Sequence, residues 1–306
     1  MPNDVIPEEH GGTNESYDFD PLEKELEGEE VFFAKLGSYG YYSEPSLRCP
    51  TDDAFLVKFL RARKYDEQAA FRNIKKYFKA RMDHPEMFQD LTPRSLAFDT
   101  VCRKHRLITI SRHKDPMGRT AALLKAGSWN AEICRLNDFI RVCLAVVEHF
   151  LRWEEAQIRG IVVVVDLKGL GIYHLAHYTP SVIRTVVSLV QDVMPMRLKG
   201  IYVINNPPIF DVFLAIVKLV MKAKLLRRIR ILGYQPKGLH ELVPEDVIPE
   251  EHGGTNESYD FDPLEKELEA EEGFFQELGS CGYHDTSMKI PIPVSDTSMR
   301  VLTRDC

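Results

Sequence analysis

The sequence predicts an α/β protein with a small helical N-terminal segment and a largely parallel sheet covered by helices on both faces. Three observations predict it. Apolar residues recur at helical spacing from Phe55 to Phe78, before any strand-like run. Two β-branched runs, Ile161–Val165 and Ile201–Ile204, have the composition of buried strands. Amphipathic helical stretches separate these runs, and such alternation implies crossovers between parallel strands. The chain of 306 residues is 44% hydrophobic, enough for one large domain or two smaller ones.

The elements follow in order. Thr51 is read as the cap of a first helix, with Asp52 and Asp53 in its first turn and Phe55, Leu56, Phe59 and Leu60 on one face. A second helix runs from Asp66 to about Met82, with Phe71, Ile74, Tyr77 and Phe78 inward. Two strands, Leu107–Ile110 and Thr120–Leu124, are joined by the turn Asp115-Pro-Met-Gly118. A helix from Asn137 to Trp153 leads into the strand 161–165. Thr179-Pro180 opens another helix, carrying Val182, Ile183, Val186, Val187, Leu189 and Val190. The strand 201–204 ends at Asn205-Asn-Pro-Pro208, and a helix over 209–221 precedes the basic run Lys224–Arg230.

A net charge of −7 conceals a division. Residues 1–46 hold 12 acids and 2 bases, and residues 254–306 hold 12 acids and 4 bases. That leaves 22 of the 46 acids and 33 of the 39 bases for 47–253, a net of +11. A basic body between acidic ends points to an anionic partner, nucleic acid or membrane. The acidic opening has no apolar core of a secretory signal, so none is expected. The apolar runs are far shorter than the roughly 20 residues of a membrane span. Six cysteines without a CxxC pair or metal-like spacing to histidine suggest free thiols, a reducing cytoplasm and no metal site.

Residues 4–27 recur identically as residues 246–269, and the likeness continues to Tyr41 and Tyr283. Each copy offers an Asp-Pro helix start (Asp20-Pro21, Asp262-Pro263) and a short acidic helix with spaced apolar residues, Leu22, Leu26, Phe33 and Leu36 in the first. Two copies 242 residues apart are no solenoid. The duplication is read either as a transplanted tail or as an acidic segment that competes with membrane for the basic body.

Catalytic signatures are absent: there is no Walker loop, no GxGxxG, no GxSxG elbow and no HExxH. Asp166, at a strand end, has no spaced nucleophile or base near it and reads as a structural hydrogen-bonding residue. No enzyme activity, catalytic residue, metal or cofactor is expected. The helix 209–221 is apolar on nearly every face, interrupted only by Asp211 and Lys218, and runs into Lys222, Lys224, Arg227, Arg228 and Arg230. Such a helix is either core or a gate that closes a cavity in water and faces lipid at a membrane.

Four ordered motifs resemble the CRAL-TRIO family: Thr51-Asp-Asp-Ala-Phe-Leu-Val-Lys-Phe-Leu-Arg-Ala-Arg-Lys-Tyr-Asp66; Gly160-Ile-Val-Val-Val-Val-Asp-Leu-Lys-Gly169 with Thr179-Pro-Ser181; Pro195-Met-Arg-Leu-Lys-Gly-Ile-Tyr-Val-Ile-Asn205; and Ile248-Pro-Glu-Glu-His-Gly-Gly254. The resemblance covers about 51–254 and is nearest to the tocopherol-transfer, retinaldehyde-binding and clavesin branches. It implies the CRAL-TRIO α/β/α lipid-binding fold and divides the chain into four parts. These are an acidic segment 1–46, a helical segment 47–90, a lipid-binding domain 91–254 and an acidic, partly disordered tail 255–306.

It also implies a function: an intracellular carrier that binds a tocopherol-, retinoid- or phospholipid-like molecule and exchanges it at phosphoinositide membranes. The alternative is a phosphoinositide-binding adaptor with no carried ligand. Carried over by position, the ligand pocket falls on Ile140, Cys143, Val147, Ile161, Val165, Tyr178, Val186, Leu189, Met196 and Ile201. The gate falls on Phe210, Phe213, Leu214 and Val217, and the phosphoinositide-binding cations on Arg63, Arg197, Lys199 and Arg228. Cys143 and Val147 stand where tocopherol-carrying members have serines, so a hydroxyl-bearing chroman would lose polar partners. The expected protein is a cytoplasmic monomer, transiently membrane-associated. It would not bind nucleic acid, because its aromatics lie on apolar helix faces rather than among cations.

Overall fold

A computed structural model describes residues 46–234, 236–256 and 261–284. The first copy of the repeat, with its Asp20-Pro21 helix, lies outside the described residues. After a two-residue strand β1 (Leu47–Arg48) come helices α1 (Asp53–Ala62) and α2 (Glu67–Asp83). Asp52, not Thr51, caps α1: its Oδ1 accepts from Phe55 N at 2.9 Å. An N-cap side chain reaches the N–H three residues on, so the cap lies one residue later than the sequence reading placed it. Asp66 caps α2 in the same way, accepting from Ala69 N at 2.8 Å.

The central sheet has the order β2-β3-β4-β5-β6, from β2 (Ile108–Lys114), β3 (Thr120–Leu124), β4 (Ile161–Asp166), β5 (Leu198–Ile204) and β6 (Ile229–Gly233). The β2–β3 hairpin is antiparallel and every other pairing is parallel. Asp115 fixes the hairpin turn by accepting from Met117 N and Arg119 N at 3.0 and 2.8 Å. The crossovers are α3 (Leu136–Phe150) with α4 (Glu154–Arg159), then α5 (Pro180–Ser188), then α6 (Phe210–Val220). The helix expected over 137–153 thus divides, and Trp153 becomes the extended residue before α4. Strand β6 begins at the end of the run read only as basic, Lys224–Arg230.

Along β4, Val162 and Val164 face a cluster with Ala121, Leu123, Tyr202 and Ile204. That face is covered by Leu239 of the short helix α7 (Pro236–His240) and by Val243, Val247 and Ile248 of an irregular run, not by long helices. The motif 248–254 fastens this cover. Glu251 pairs with Lys125 at 2.5 Å, and Gly254 sits so close to the Ile248 carbonyl that a Cβ would lie 1.9 Å from its oxygen. Asp166 accepts from Asn205 Nδ2 at 2.9 Å and Lys168 N at 2.8 Å, with His252 Nε2 at 3.4 Å.

The opposite face shares one core with α1, α2 and α3, which runs from Phe55 through Tyr77 and Phe139 to Ile161. The expected division near residue 90 therefore crosses a continuous core. At its centre lies the buried Glu148, whose carboxylate takes the Tyr77 hydroxyl and lies 3.5 Å from Lys58 Nζ and 3.9 Å from Arg81. Part of the expected acidic tail joins this core: α8 (Asp262–Ala270), α9 (Glu272–Ser280) and β7 (Gly282–Tyr283), the last antiparallel to β1. Phe261, Leu268, Phe275 and Leu278 are buried there.

Candidate functional site

Helix α3 has two apolar faces that differ in environment. Phe139, Val142, Ala145, Val146 and His149 are fully buried, while Cys143 and Val147, in line with Leu136 and Ile140, keep accessible surface. Spacing of three and four residues puts 136, 140, 143 and 147 on one stripe. The same face of the sheet repeats the pattern: Val163, Val165 and Ile201 are half-buried, whereas Val162, Val164 and Tyr202 on the other face are closed off. Burial pushes the Cys143 thiol up to about 12. Cys143, Val147, Val163, Tyr178, Val186 and Met196 are all half-buried against this main core.

The structure brings the ten expected pocket residues into two adjoining clusters. Ile140, Ile161 and Leu189 are buried in the main core, with Cys143, Val147, Val186 and Met196 half-buried against it. Val165 and Ile201 belong to the cluster under α6, and Tyr178 touches both. The Tyr178 hydroxyl is already used, donating to Ala126 O at 2.9 Å, while its ring stacks on Trp129 and meets Phe213 edge-on at 6.1 Å. Apart from the Cys143 thiol and the Tyr178 hydroxyl, the ten side chains are apolar.

Most of helix α6 keeps accessible surface. Of its residues only Phe213 is buried. Phe210, Leu214 and Val217 flank it on one stripe and are half-buried, and Phe210 packs against the same cluster as Phe213. A second apolar stripe faces outward, with Val212 46% and Leu219 85% exposed and Ile216 between them. The sequence had shown a helix apolar all round, without separating these faces. Ile172 and Tyr173, in the turn before α5, add further exposed apolar surface.

Both ends of α6 are held by polar side chains. Asn205, at φ 53, precedes Pro207-Pro208 and anchors the entry by its bond to Asp166. At the exit, Gln191 donates to Val220 O at 3.2 Å and accepts from Lys222 N at 3.0 Å. Gln191 lies in a π-helical turn, Leu189–Val193, that continues α5. Asn73 secures this turn by donating to the carbonyls of Asp192 and Val193 at 2.9 and 2.8 Å.

Beside that exit lies a cluster of cations. Burial lowers the Lys224 ammonium pKa, and Arg228, Lys64, Arg197 and Arg63 lower it further, so these five charges share one region. Three of the four expected cations are thus together, and Lys64 and Lys224 join them. Lys199, the fourth, is half-buried on β5 with its stem beside Gly160. Arg197 donates to Ile158 O at 2.9 Å, Arg228 to Leu198 O, and Arg63 to Asp192 O at 3.4 Å. Lys64 and Lys224 were missed because they come from α1's end and from beyond α6, 160 residues apart. Among the described residues no helix is long and apolar enough to cross a membrane, and no cluster of metal-ligating side chains occurs.

Residues 104–254 match the CRAL/TRIO domain, and residues 24–76 match the CRAL/TRIO N-terminal domain. An alpha-tocopherol transfer protein-like protein of Homo sapiens is 33% identical over 211 residues, 69% of this chain and 61% of that protein. Clavesin-1 of Xenopus laevis is 32% identical over 214 residues, 69% of this chain and 63% of that protein. The matched stretch thus spans less than two thirds of either relative. A solved structure, the crystal structure of Sfh5, aligns with a TM-score of 0.47 and 12% identity, over 78% of this chain and 90% of that one. Both domain matches lie in order on one chain with an α/β sheet of this connectivity, and the chain belongs to the CRAL-TRIO family.

Proposed function

We propose that this chain is a carrier that shelters one hydrophobic, lipid-like molecule between α3, the sheet, α5 and α6, and exchanges it at phosphoinositide-containing membranes. The observation that carries the proposal is the meeting of three surfaces: the accessible inward stripe of α3, the doubly apolar α6, and the cation cluster at the α6 exit. Membership of a lipid-binding and lipid-transfer family supports the ligand class. The residues assigned to the pocket are Ile140, Cys143, Val147, Ile161, Val165, Tyr178, Val186, Leu189, Met196 and Ile201. Phe210, Phe213, Leu214 and Val217 form the gate, and Arg63, Arg197, Lys199 and Arg228, with Lys64 and Lys224, bind the headgroup.

The energetics suit reversible exchange. Swinging α6 away exposes one buried and three half-buried gate side chains, a cost of roughly 4–7 kcal/mol at 1.5–3 kcal/mol per fully buried side chain. Five clustered cations at an anionic surface contribute about 1 kcal/mol each. The terms are comparable, so the gate stays shut in water and opens at the membrane, where the outward stripe finds lipid. No covalent step is involved and no enzyme activity is proposed. Transfer of a fluorescent apolar ligand between vesicles tests the mechanism: it should accelerate when acceptor vesicles contain a phosphoinositide. Equal rates with and without that lipid would overturn the exchange step.

A further inference from the structure

The slot filled by the C-terminal segment has a second candidate occupant in the same chain. Residues 261–283 bury Phe261, Leu268, Phe275 and Leu278 against α2 and α3, to exposures of 8, 1, 1 and 1%. Their acids meet a set of cations: Arg103 takes Asp262 and Glu265, His149 takes Glu267 and Glu271, and Arg152 takes Glu271. Tyr283 and Gly282 pair with Leu47 and Arg48.

Every one of these groups recurs in residues 19–41. Phe19, Leu26, Phe33 and Leu36 repeat the buried side chains, Asp20, Glu23, Glu25 and Glu29 repeat the acids, and Gly40-Tyr41 repeats the strand. Between 19–41 and 261–283 only five positions differ: Gly28 for Ala270, Val31 for Gly273, Ala34 for Gln276, Lys35 for Glu277 and Tyr39 for Cys281. The first four fall on exposed positions of α8 and α9, and a Cβ added at Gly273 would meet nothing within 4 Å, so Val31 fits. The connection also fits. Were Tyr41 to sit opposite Leu47 and Gly40 opposite Arg48, the five residues 42–46 would be left for a hairpin loop, a length within the usual range.

We propose that residues 19–41 are an alternative occupant of this slot, exchanging with residues 261–283 within one molecule. The segment is aimed at its own α2–α3 surface by the short link to β1, as 261–283 is by the short link from Asn256. Only one copy docks at a time, and docking of the first releases an acidic C-terminal segment.

A native pair of thiols reports the exchange. The β1–β7 register continued by one residue sets Cys281 opposite Cys49, whereas the first copy would place Tyr39 there. With the second copy docked, diamide should join Cys49 to Cys281, taking up the two electrons and two protons that the thiols release. In the full-length protein the expected result is partial cross-linking that rises when Phe33→Asp disables the first copy. In the variant Cys281→Ser with Tyr39→Cys, a disulfide from Cys49 to the thiol introduced at position 39 should form, identified by peptide mass. Leu268→Asp with Phe275→Asp should keep the melting transition, and adding Leu26→Asp with Phe33→Asp should lower it sharply. The proposal is overturned if Phe33→Asp leaves Cys49–Cys281 cross-linking unchanged, or if Tyr39→Cys gives no bond. Disulfide-linked dimers in place of intrachain bonds would assign the slot to exchange between molecules and overturn it equally.

Discussion

Leu219→Asp isolates the membrane-facing side of α6 from its packing side. Leu219 is 85% exposed, so the substitution removes almost no buried contact. Exposed substitutions of this kind change stability by about 0.5 kcal/mol or less, a melting shift of about 2 °C or less for a domain of this size. In the proposed exchange, however, Leu219 enters lipid. Burying a leucine side chain fully yields about 1.5–3 kcal/mol, and 85% of that is roughly 1.3–2.5 kcal/mol. At about 1.4 kcal/mol per factor of ten, vesicle affinity should fall roughly 10- to 60-fold. Sedimentation with phosphoinositide vesicles measures the affinity, and scanning calorimetry the stability. Phe213→Asp is the control: Phe213 is 6% exposed, so this change should lower the melting temperature by far more. Unchanged vesicle binding by Leu219→Asp, with a folded protein, would refute the assignment of the outer stripe to the membrane.

Further outcomes follow from particular contacts. Gln191→Ala removes two hydrogen bonds at the α6 exit, each worth about 0.5–1.5 kcal/mol, and should speed vesicle transfer about fivefold or more in a fluorescence assay. Glu148→Ala leaves Lys58 buried without its carboxylate and should cost about 3–5 kcal/mol in urea unfolding. Replacing Arg197, Lys199 and Arg228 together by Glu should abolish phosphoinositide-vesicle binding while ligand affinity in detergent stays nearly constant. Native binding should weaken with added salt. Lys224 loses its proton below the ordinary 10.5 in the free protein, and a bound phosphate would raise that pKa again. Vesicle binding should therefore be complete below the lowered pKa and weaken as pH rises through it, an effect that Lys224→Arg removes.

Much of the fold was legible because single residue types dictate it. The β-branched run 161–165 and the Thr179-Pro180 helix start fall where the sequence placed them. Strand β6 escaped because Arg230 and its basic neighbours mask a short edge strand whose outward positions are solvated. The Asp262-Pro263 helix start also falls where the sequence placed it, but the docking of the tail on the core escaped: its four buried apolar side chains are diluted by acids that pair with Arg103, His149 and Arg152, partners set more than 100 residues away. The pocket positions came from family resemblance, since helical periodicity alone cannot tell a side chain lining a cleft from one packed in a core. The structure adds a difference in exposure around α3, where Cys143 and Val147 are half-buried beside the buried Val142 and Val146. The same holds for α6, where composition left core and gate open and the burial of Phe213 alone separates an inner stripe from an outer one. The cation cluster needed the fold itself, because its members come from just after α1, just before β5 and the segment after α6.

Ligand content is the most direct measure of the central claim. The protein should be purified from a eukaryotic host without detergent, and native mass spectrometry should be combined with analysis of an organic extract. The account predicts a one-to-one complex with a single class of apolar molecule, lost on denaturation. It also predicts less bound ligand when Val147→Trp fills the inward stripe of α3. Ligand-free protein that also fails to bind tocopherols, retinoids and phospholipids when they are added would contradict it.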